Sequence, residues 1–589
     1  MNDKKNDKTY DVVICGAGLA GLTLARQLKQ TIPDLSILTI DKLNRPLPEI
    51  AFKVGESTVE VGACYLANII HLKDYLEKNH YPKLGIRYFF GDGCDAFQKR
   101  PELGLSRFHA PESYQVDRGK LENDLRKFNS EDGVELLENC SVKEINLAEN
   151  NGDLHQITYS KIDTKETGIV KAKWVIDSMG RRRFLQKKLG LAQPNNDRYN
   201  ASWFWVDGRL DVTDFVSQNE QEWHDRVPEK NRYFSTNHLC GDGYWIWIIP
   251  LSTGATSIGI VAHEDYHSFE SYHSYEKASQ WLTKHEPILA SCLTGKTPKK
   301  FMKMPKYSYT SDKIFSFDRW ACIGDAATFP DPFYSPATDF IGFANSSIVN
   351  MIELDRQGQL TEKTVNAANR FFLIYQKSIT KSIQTMYHCL GNGLVGTMKV
   401  IWDTLAAWSF SAPLMFSDIY LDSQKRNKVY SKSGQFFLLT NRVQHFFRDW
   451  SEKSSGKISF GFVDYLALPF VKELRERNLQ LNRSEEELIQ DHLANIEIFE
   501  ELAQAIFIIA IADIMPEQLN KVLSAGWLNA WAISLDPNEW EKGGLFKPKS
   551  SPRDLQRILD PLQSNFSITI LELERQFLDT KQEKETLCL

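Results

Sequence analysis

A short apolar strand that runs directly into three closely spaced glycines constrains this chain more than any other feature. Residues 10–15 read YDVVIC, a short, mainly apolar run with β-branched residues as in a buried parallel strand, and Gly16, Gly18 and Gly21 follow with the spacing G-x-G-x-x-G. A helix-forming stretch comes next, and then a second apolar strand over residues 35–40. This order of strand, glycine turn, helix and strand is the context in which proteins bind dinucleotides.

The physical requirements of a bound dinucleotide explain each glycine of the motif and the acidic residue that follows it. Gly16 allows the tight turn, Gly18 lets the backbone approach a pyrophosphate, and Gly21 lets the helix pack close to the strand. The second strand ends in Asp41, whose carboxylate would accept hydrogen bonds from a ribose hydroxyl. A pyrophosphate would also cap the N-terminus of the helix. The sequence therefore predicts a dinucleotide site, and a bare βαβ turn without a ligand is the weaker alternative.

Composition excludes several other classes of protein. The 589 residues carry a net charge of −6, which gives no electrostatic footprint for nucleic acid. Nine dispersed cysteines form no C-x-x-C pair, so we expect reduced thiols. The charged N-terminus lacks the apolar core of a signal peptide, and the apolar run 505–515 is shorter than the ~20 residues of a membrane span. We expect a cytoplasmic protein without a membrane span, and this run as a buried helix.

The pattern of apolar residues changes along the chain. Residues 200–262 alternate strongly and are rich in aromatics, which predicts an antiparallel sheet, and 320–323 form a further apolar strand. Beyond about residue 350 helical spacing dominates, in 363–393, 397–409, 466–479, 484–515 and 553–560. We predict an α/β fold with a Rossmann-like cofactor-binding module over 1–350, an antiparallel β-sheet inserted at about 195–305, and a mainly α-helical region over 351–589.

Three further motifs narrow the cofactor. Residues 114–125 read YQVDRGKLENDL, residues 177–183 read DSMGRRR, and residues 322–327 read CIGDAA. Together with the glycine motif, these resemble the flavoprotein monooxygenase superfamily that includes p-hydroxybenzoate hydroxylase. The resemblance implies FAD as the cofactor. It also assigns residues to the FAD site: Arg118 to the nucleotide, Asp325 to the ribityl chain, and Asp177, Gly180 and Gly324 to the binding segments.

A tryptophan-rich strand points to one branch of that superfamily. Residues 244–250 read YWIWIIP, so Trp245 and Trp247, two positions apart on a strand, project to one face and wall a site. Together with KVGEST at 53–58, this strand resembles the flavin-dependent halogenase (tryptophan-halogenase-like) family. The resemblance places Gly55, Glu56 and Ser57 in the loop over the flavin. An aromatic core strand is the other interpretation of the two tryptophans.

A lysine in an apolar setting completes the resemblance. Residues 82–89 read PKLGIRYF, similar to the K-x-x-I-[KR]-[FY] segment that carries the essential lysine of this family, so that lysine maps to Lys83. Desolvation lowers the pKa of such an amine, which makes a purely structural role unusual. The alternative is a side chain whose stem snorkels to the surface.

The resemblance implies a mechanism and partners. A separate flavin reductase supplies FADH2. With this reduced cofactor, O2 and halide yield hypohalous acid, and Lys83 then delivers the halogen to an electron-rich aromatic ring. The expected substrate is a phenol or pyrrole of secondary metabolism, free or tethered to a carrier protein. Tyr334 stands where members that act on tryptophan carry a glutamate, which argues against tryptophan as the substrate.

One segment departs from the pattern of the family. The halide site of the family lies in F-x-x-P-x-S-x-G, and here that stretch ends in Ser335, Pro336 and Ala337. Ala337 replaces the glycine, and Pro336 removes one N–H donor. An anion site built from backbone amides would be weakened by both changes, so we expect weak halide binding at this turn.

Other interpretations stay open. A monooxygenase or desaturase of the same superfamily, using no halide, is the first alternative, and the altered turn at Ser335 supports it. A non-catalytic flavin-binding interaction protein is the second, although the coincidence of Lys83 with Trp245 and Trp247 argues against it. The sequence HEDYH at 263–267 matches a zinc motif that works only on a helix; it follows an apolar strand here, so no metal site is predicted.

Overall fold

The computed structural model describes residues 8–48, 53–150, 152–195, 197–456 and 460–566, so residues 1–7 and Cys588 lie outside the described part of the chain. The strands are β1 Lys8–Cys15, β2 Ile37–Ile40, β3 Tyr81–Lys83, β4 Ile86–Phe89, β5 Glu102–Gly104, β6 Ser113–Gln115, β7 Glu135–Leu137, β8 Cys140–Asn146, β9 His155–Lys161, β10 Thr167–Asp177, β11 Ala192–Pro194, β12 Tyr199–Asp207, β13 Thr236–Gly241, β14 Tyr244–Pro250, β15 Ala255–His263, β16 Pro298–Met304, β17 Tyr309–Ser311, β18 Trp320–Cys322 and β19 Phe462–Asp464. The α-helices are α1 Leu19–Thr31, α2 Glu60–Cys64, α3 Lys73–Asn79, α4 Arg118–Glu131, α5 Phe184–Lys188, α6 Gln221–Asp225, α7 Tyr275–His285, α8 Pro287–Leu293, α9 Ala337–Arg356, α10 Glu362–Met386, α11 Gly393–Ala406, α12 Ala412–Phe416, α13 Ser423–Val429, α14 Ser433–Lys453, α15 Pro469–Asn478, α16 Glu485–Ile514, α17 Leu519–Ser524, α18 Asn538–Gly543 and α19 Gln556–Phe566.

The predicted dinucleotide-binding strands form the centre of one sheet. Its strand order is β7-β2-β1-β10-β9-β8, and β18 pairs with the end of β10. Strands β7, β2, β1, β10 and β18 run parallel, and their last residues are in register, with Cys15 opposite both Ile40 and Asp177, and Asp177 opposite Cys322. Because the carboxyl ends of parallel strands meet at one edge, the segments that follow these strands converge there.

A second sheet is larger, with eight strands. Its order is β16-β12-β15-β14-β13-β4-β5-β19. Strands β12 to β15 cover the region predicted as antiparallel, and they pair antiparallel in the order β12-β15-β14-β13. Two pairings at the other end, β13 with β4 and β5 with β19, are parallel. The sheet thus also recruits strands from before and after the predicted insertion.

A buried ion cluster connects strands β4 and β5 of this second sheet with the segment before β13. Glu102 on β5 accepts hydrogen bonds from Arg87 on β4 and from Arg232, whose Nε and Nη2 lie 2.8 and 3.0 Å from its two oxygens. All three side chains are buried. Since breaking a buried pair leaves an uncompensated charge, removing one partner typically costs about 3–5 kcal/mol. The cluster therefore fixes β4 and β5 against the segment that leads into β13.

The chain beyond residue 350 is mainly helical, which confirms the predicted fold class. Its longest helix, α16, begins with a capping box in which Ser484 and Glu487 satisfy each other's backbone N–H groups. The apolar run 505–515 belongs to this helix and its short exit, and Asp513 accepts a hydrogen bond from the Trp450 indole at 2.8 Å. No helix of the described residues is long and apolar enough to cross a membrane.

The helices of this region differ from the prediction in two details. The stretch 363–393 is not one helix, because α10 ends at Met386 and the Asn392 side chain caps the start of α11 by accepting the Val395 N–H at 3.1 Å. Helix α14 was not predicted at all. It begins without a side-chain cap among the described residues.

Candidate active site

One cavity of about 480 Å³ extends from the carboxyl edge of the first sheet to the face of the second. It brings together residues that are far apart in the sequence. Among the predicted site residues, those that line it are Gly16, Gly18, Asp41, Gly55, Glu56, Ser57, Arg118, Gly180, Trp245, Trp247, Gly324, Asp325, Ser335, Pro336 and Ala337. Gly21, Lys83 and Asp177 are not among the lining residues that the structure describes.

The glycine turn leaves space for a ligand at one position only. A Cβ on Gly16 would lie 2.4 Å from the Ser178 carbonyl oxygen, and a Cβ on Gly21 would lie 2.2 Å from the Gly16 carbonyl oxygen. Gly18 differs, since no atom of the described residues lies within 4 Å of a Cβ placed there. Gly18 lines the cavity, so such a Cβ would occupy space that is open to a bound group.

The helix that follows this turn presents free donors to the cavity. Helix α1 has no side-chain cap within the described ranges, and its first residues, Leu19 and Ala20, line the cavity. The first backbone N–H groups of a helix have no partner inside the helix, and with the helix dipole they favour an anion such as a pyrophosphate. The open position at Gly18 and the uncapped helix therefore fit the phosphates of a dinucleotide.

Asp41 is held rigidly at the edge of this space. Its Oδ2 accepts the Ala17 N–H and its Oδ1 accepts the Leu43 N–H, both at 2.6 Å. The Arg126 guanidinium lies 3.5 Å from the same carboxylate. Each carboxylate oxygen can accept more than one hydrogen bond, so the group retains capacity for a ribose hydroxyl.

Arg118 supports the loop at 53–57. As the first residue of α4 it donates through Nη1 to the Val54 carbonyl oxygen at 2.7 Å and through Nη2 to Glu122 at 2.6 Å. A Cβ on Gly55 would lie 2.8 Å from Arg118 Nη1, so the loop and the guanidinium are in close contact. Arg118 therefore lines the cavity and also fixes the position of the loop beside it.

The acidic residues of the motifs at 177–183 and 322–327 have different positions relative to the cavity. Asp177 accepts the Met179 and Leu185 N–H groups at 3.1 and 2.8 Å, so it shapes the turn after β10 and does not line the cavity. Gly180 has φ of +61° and faces open space. Asp325 lines the cavity, and burial raises the pKa of its carboxyl group.

Four aromatic rings on the second sheet form a continuous wall of the cavity, here called the aromatic wall: His238, Trp245, Trp247 and Trp203. The centroids of successive rings lie 4.7, 5.8 and 6.4 Å apart. Trp245 Nε1 donates to the Tyr387 hydroxyl at 3.0 Å, and Trp247 Nε1 donates to Ser257 Oγ at 3.1 Å. The two predicted tryptophans are thus the inner members of a larger wall.

The helical region anchors this wall. Tyr387, just after α10, donates its hydroxyl to Asp331 at 2.7 Å while accepting from Trp245. Tyr307 donates to the same Asp331 oxygen, and burial raises the pKa of Asp331 to about 6. A chain of hydrogen bonds therefore connects the residues after 350 to the orientation of Trp245.

Lys83 lies behind the cavity wall. It ends β3, is buried, and donates from Nζ to the Thr58 carbonyl oxygen at 2.6 Å. Burial lowers the pKa of its amine to about 7, while the nearby carboxyl groups of Glu60 and Asp339 act in the opposite direction. The structure thus provides an amine that is partly neutral near pH 7 and is hydrogen-bonded to Thr58, the residue after the lining residue Ser57.

Hydrogen bonds connect the turn at 335–337 to Ser57 and, through it, to strand β13. Ser335, a non-glycine residue with φ of +55°, donates from Oγ to Ser57 Oγ at 3.1 Å. Ser57 Oγ in turn lies 2.9 Å from Thr236 Oγ1 on β13. Pro336 precedes α9 and has no N–H to offer. The turn is therefore held by hydroxyl groups rather than opened for amide donors.

Sequence reasoning missed several residues of this site: Thr236, His238, Trp203, Asp331 and Tyr387. The alternation in β12 and β13 could have indicated the first three, since Thr236 and His238 are two residues apart and Trp203 lies in the aromatic stretch at 200–207. Tyr387 gives no such signal, because its contact to Trp245 spans 142 residues.

The zinc-like motif at 263–267 does not assemble. His263 ends strand β15, and His267 Nε2 lies 2.8 Å from the Asp242 carbonyl oxygen. Within the ranges that the structure describes, no group of three or more His, Cys, Asp or Glu side chains could hold a metal ion.

Comparison with known proteins gives consistent results. The family described as tryptophan halogenase matches residues 97–389. A flavin-dependent halogenase, chlA, of Dictyostelium discoideum is 26% identical over 442 residues, covering 70% of this chain and 72% of that protein. A 1H-pyrrole-2-carbonyl-[peptidyl-carrier protein] chlorinase of Pseudomonas fluorescens is 26% identical over 353 residues, covering 56% of this chain and 72% of that protein. Among solved structures, a mutant of the halogenase PltM in complex with FAD aligns with a TM-score of 0.60 at 16% identity, covering 83% of this chain and 96% of that chain, which shows the shared fold.

Proposed function

Because this chain belongs to the flavin-dependent halogenase family, we propose that it uses reduced FAD, O2 and halide to halogenate an electron-rich aromatic compound of the phenol or pyrrole type. The observation that carries the proposal is the buried amine of Lys83 behind a cavity shaped for a dinucleotide. Flavin-dependent halogenases bind FAD, and the residues here fit that cofactor. Gly18 and the α1 N-terminus would take the pyrophosphate, Asp41 a ribose hydroxyl, and Asp325 the ribityl chain.

The chemistry that FAD supplies when reduced and bound is the activation of O2, which oxidises halide to hypohalous acid with water as the second product. The residues of the chain separate the substrate from the cofactor and transfer the halogen. The aromatic wall keeps an organic substrate away from the cofactor space, since Trp245 and Trp247 are buried and held by their own hydrogen bonds. Lys83 is the group that receives the halogen.

Lys83 can transfer halogen with all atoms balanced. A neutral amine attacks the halogen of hypohalous acid, the N–halogen bond forms as the oxygen–halogen bond breaks, and the released hydroxide takes the amine proton to give water. The haloamine then passes its halogen to an aromatic carbon, and the ring proton returns to the amine nitrogen. Burial serves this step because it lowers the pKa of Lys83 to about 7, which leaves a nucleophilic lone pair at neutral pH. Delivery by a hydrogen bond from the same amine is the other mode of transfer.

The substrate class follows from what the site lacks and from one relative. Tyr334 donates its hydroxyl to Asp403 at 2.7 Å, so this position provides no free carboxylate to polarise an indole. Phenols and pyrroles activate their own rings. The Pseudomonas fluorescens relative is named for a pyrrole on a peptidyl carrier protein, which supports a carrier-linked pyrrole as one candidate beside free phenols. A separate flavin reductase is the proposed partner that supplies reduced FAD, and we propose that the protein works in the cytoplasm.

The test is turnover with a flavin reductase and candidate phenols and carrier-linked pyrroles, with chloride, with bromide and without halide, followed by mass spectrometry. Halogenated product that depends on halide supports the proposal. Oxygenated or desaturated product in halide-free buffer would instead support a halide-independent flavin monooxygenase or desaturase. The proline at the Ser335 turn is the observation that favours this second candidate.

Replacing Pro336 with alanine should strengthen halide binding, because the change restores a backbone N–H at a turn that lines the cavity. A hydrogen bond to a charged group contributes about 1.5–3 kcal/mol, so the KM for halide should fall about tenfold or more. Steady-state halogenation at varied bromide concentration measures this. Pro287→Ala, at the start of α8 and outside the described cavity lining, is the matched control and should leave the KM unchanged. An unchanged KM in Pro336→Ala would place the halide elsewhere.

A further inference from the structure

The aromatic wall has two kinds of nitrogen. The inner rings, Trp245 and Trp247, have their N–H groups satisfied by Tyr387 and Ser257. The outer rings differ, since His238 Nδ1 and Trp203 Nε1 are buried and have no hydrogen-bond partner among the described residues. Buried polar atoms are nearly always hydrogen-bonded in folded proteins, and both residues line the cavity. The outer rings therefore line the cavity without the hydrogen bonds that hold the inner rings.

The surroundings of His238 keep its imidazole neutral. Its ring is enclosed by Tyr88, Phe333 and Trp245, with centroids 5.3, 5.3 and 4.7 Å away, and none of these neighbours carries a carboxylate. Burial lowers the pKa of His238 well below its ordinary value, and the charge of Lys83 lowers it further when that amine is protonated. A neutral imidazole has one nitrogen that donates and one that accepts a hydrogen bond.

His238 can also accept a hydrogen bond at this part of the wall. Tryptophan indoles only donate. The Thr236 hydroxyl, two residues earlier on β13, already donates to Gln115 Oε1 at 3.0 Å and lies against Ser57 Oγ. His238 lines the cavity. It lies on the same strand as Thr236, whose hydroxyl is 2.9 Å from Ser57 Oγ, and Lys83 donates to the carbonyl oxygen of Thr58, the residue after Ser57. His238 therefore lines the space where hypohalous acid would arise, on a strand that contacts the segment that binds the amine.

We propose that His238 binds hypohalous acid in transit, its neutral imidazole accepting the O–H hydrogen bond of the acid and holding it for attack by Lys83. No covalent bond to His238 forms or breaks in this step. This role rests on the proposed halogenase function and adds a second residue that contacts the reacting species. Without that acceptor, hypohalous acid should escape from the cavity before Lys83 captures it.

The experiment compares three variants of the FAD-loaded enzyme under reductase-driven turnover with bromide. His238→Phe keeps an aromatic ring at the position and removes both nitrogens, while His238→Gln keeps an oxygen that can accept. His492→Phe is the matched control, a buried histidine of α16 packed against Phe410 and Tyr430. Three quantities are measured: O2 consumption, brominated product, and hypobromous acid captured by a trap added to the solution. Thermal melting checks the fold of each variant.

We expect His238→Phe to consume O2 within about twofold of the wild-type rate, to lose at least tenfold in product, and to release correspondingly more trapped hypobromous acid. His238→Gln should recover part of the coupling, and His492→Phe should behave as wild type. Wild-type coupling in His238→Phe would overturn this role alone. Equal uncoupling in His492→Phe would also overturn it, since the effect would then come from general loosening. A wild type that forms no halogenated product would overturn the proposed function itself and this role with it.

Discussion

Replacing Lys83 with methionine should abolish halogenated product while O2 consumption and FADH2 oxidation continue at nearly the wild-type rate. Methionine keeps the length and the apolar stem of the side chain and removes the nitrogen. The cofactor cradle does not include Lys83, which lies outside the described cavity lining, so the reaction of reduced FAD with O2 should be unaffected. We expect product to fall at least a hundredfold, equivalent to about 2.7 kcal/mol of transition-state stabilisation. Parallel oxygen-electrode and mass-spectrometric measurements give both rates.

Lys83→Arg separates the two ways in which the lysine could act. Arginine retains N–H donors but stays protonated, so it cannot form a haloamine at neutral pH. Residual halogenation in Lys83→Arg would indicate transfer by hydrogen bonding, whereas its loss would indicate a nucleophilic amine. Thermal melting shows whether each variant still folds, since both changes disturb the hydrogen bond to the Thr58 carbonyl oxygen. Normal halogenation by Lys83→Met would remove the basis of the proposed mechanism.

Gly18→Val should fold normally and lose FAD. Gly18 has φ of −85° and ψ of −175°, an extended conformation that valine adopts readily. No atom of the described residues lies within 4 Å of the added Cβ, so the apoprotein can accommodate the branch. A bound pyrophosphate cannot, because the side chain would occupy the space that the backbone leaves for it. We expect affinity for FAD to fall at least a hundredfold, measured by flavin fluorescence during titration of the apoprotein.

Valine substitutions at two other glycines serve as controls for this experiment. Gly434→Val, near the exposed start of α14 with no described atom within 4 Å of the added Cβ, should leave FAD binding unchanged. Gly21→Val should instead destabilise the fold, since its Cβ would lie 2.2 Å from the Gly16 carbonyl oxygen. Unchanged FAD affinity in Gly18→Val would contradict the assignment of the glycine turn to the pyrophosphate.

The parts of the site that local spacing defines were predictable from the sequence. The glycine turn and Asp41 lie within one βαβ unit, so their spacing alone indicates that they meet. Trp245 and Trp247 are two residues apart on one strand, which places them on one face. The roles of these residues in binding and catalysis stay predictions, as does that of Lys83.

The remaining residues meet only through the tertiary fold. His238 joins the aromatic wall because β13 pairs with both β14 and β4, and Asp331 meets Tyr387 across 56 residues. No periodicity within a short window encodes such pairings. The position of Lys83 is a similar case, since the motif gives its identity, but only the pairing of β3 with β6 and the packing of Thr58 place its amine behind the wall.

Tyr387 donates a hydrogen bond to Asp331 and accepts one from Trp245, and this has a consequence for protein engineering. A designer who wished to exchange substrate preference between relatives could graft a foreign C-terminal half at residue 350, where the pattern of the sequence changes. Such a chimaera would lose Tyr387 unless the donor supplied an equivalent hydroxyl, and the buried indole N–H of Trp245 would then have lost its hydrogen-bond acceptor. The joint must therefore fall after Tyr387, or the grafted half must bring its own tyrosine.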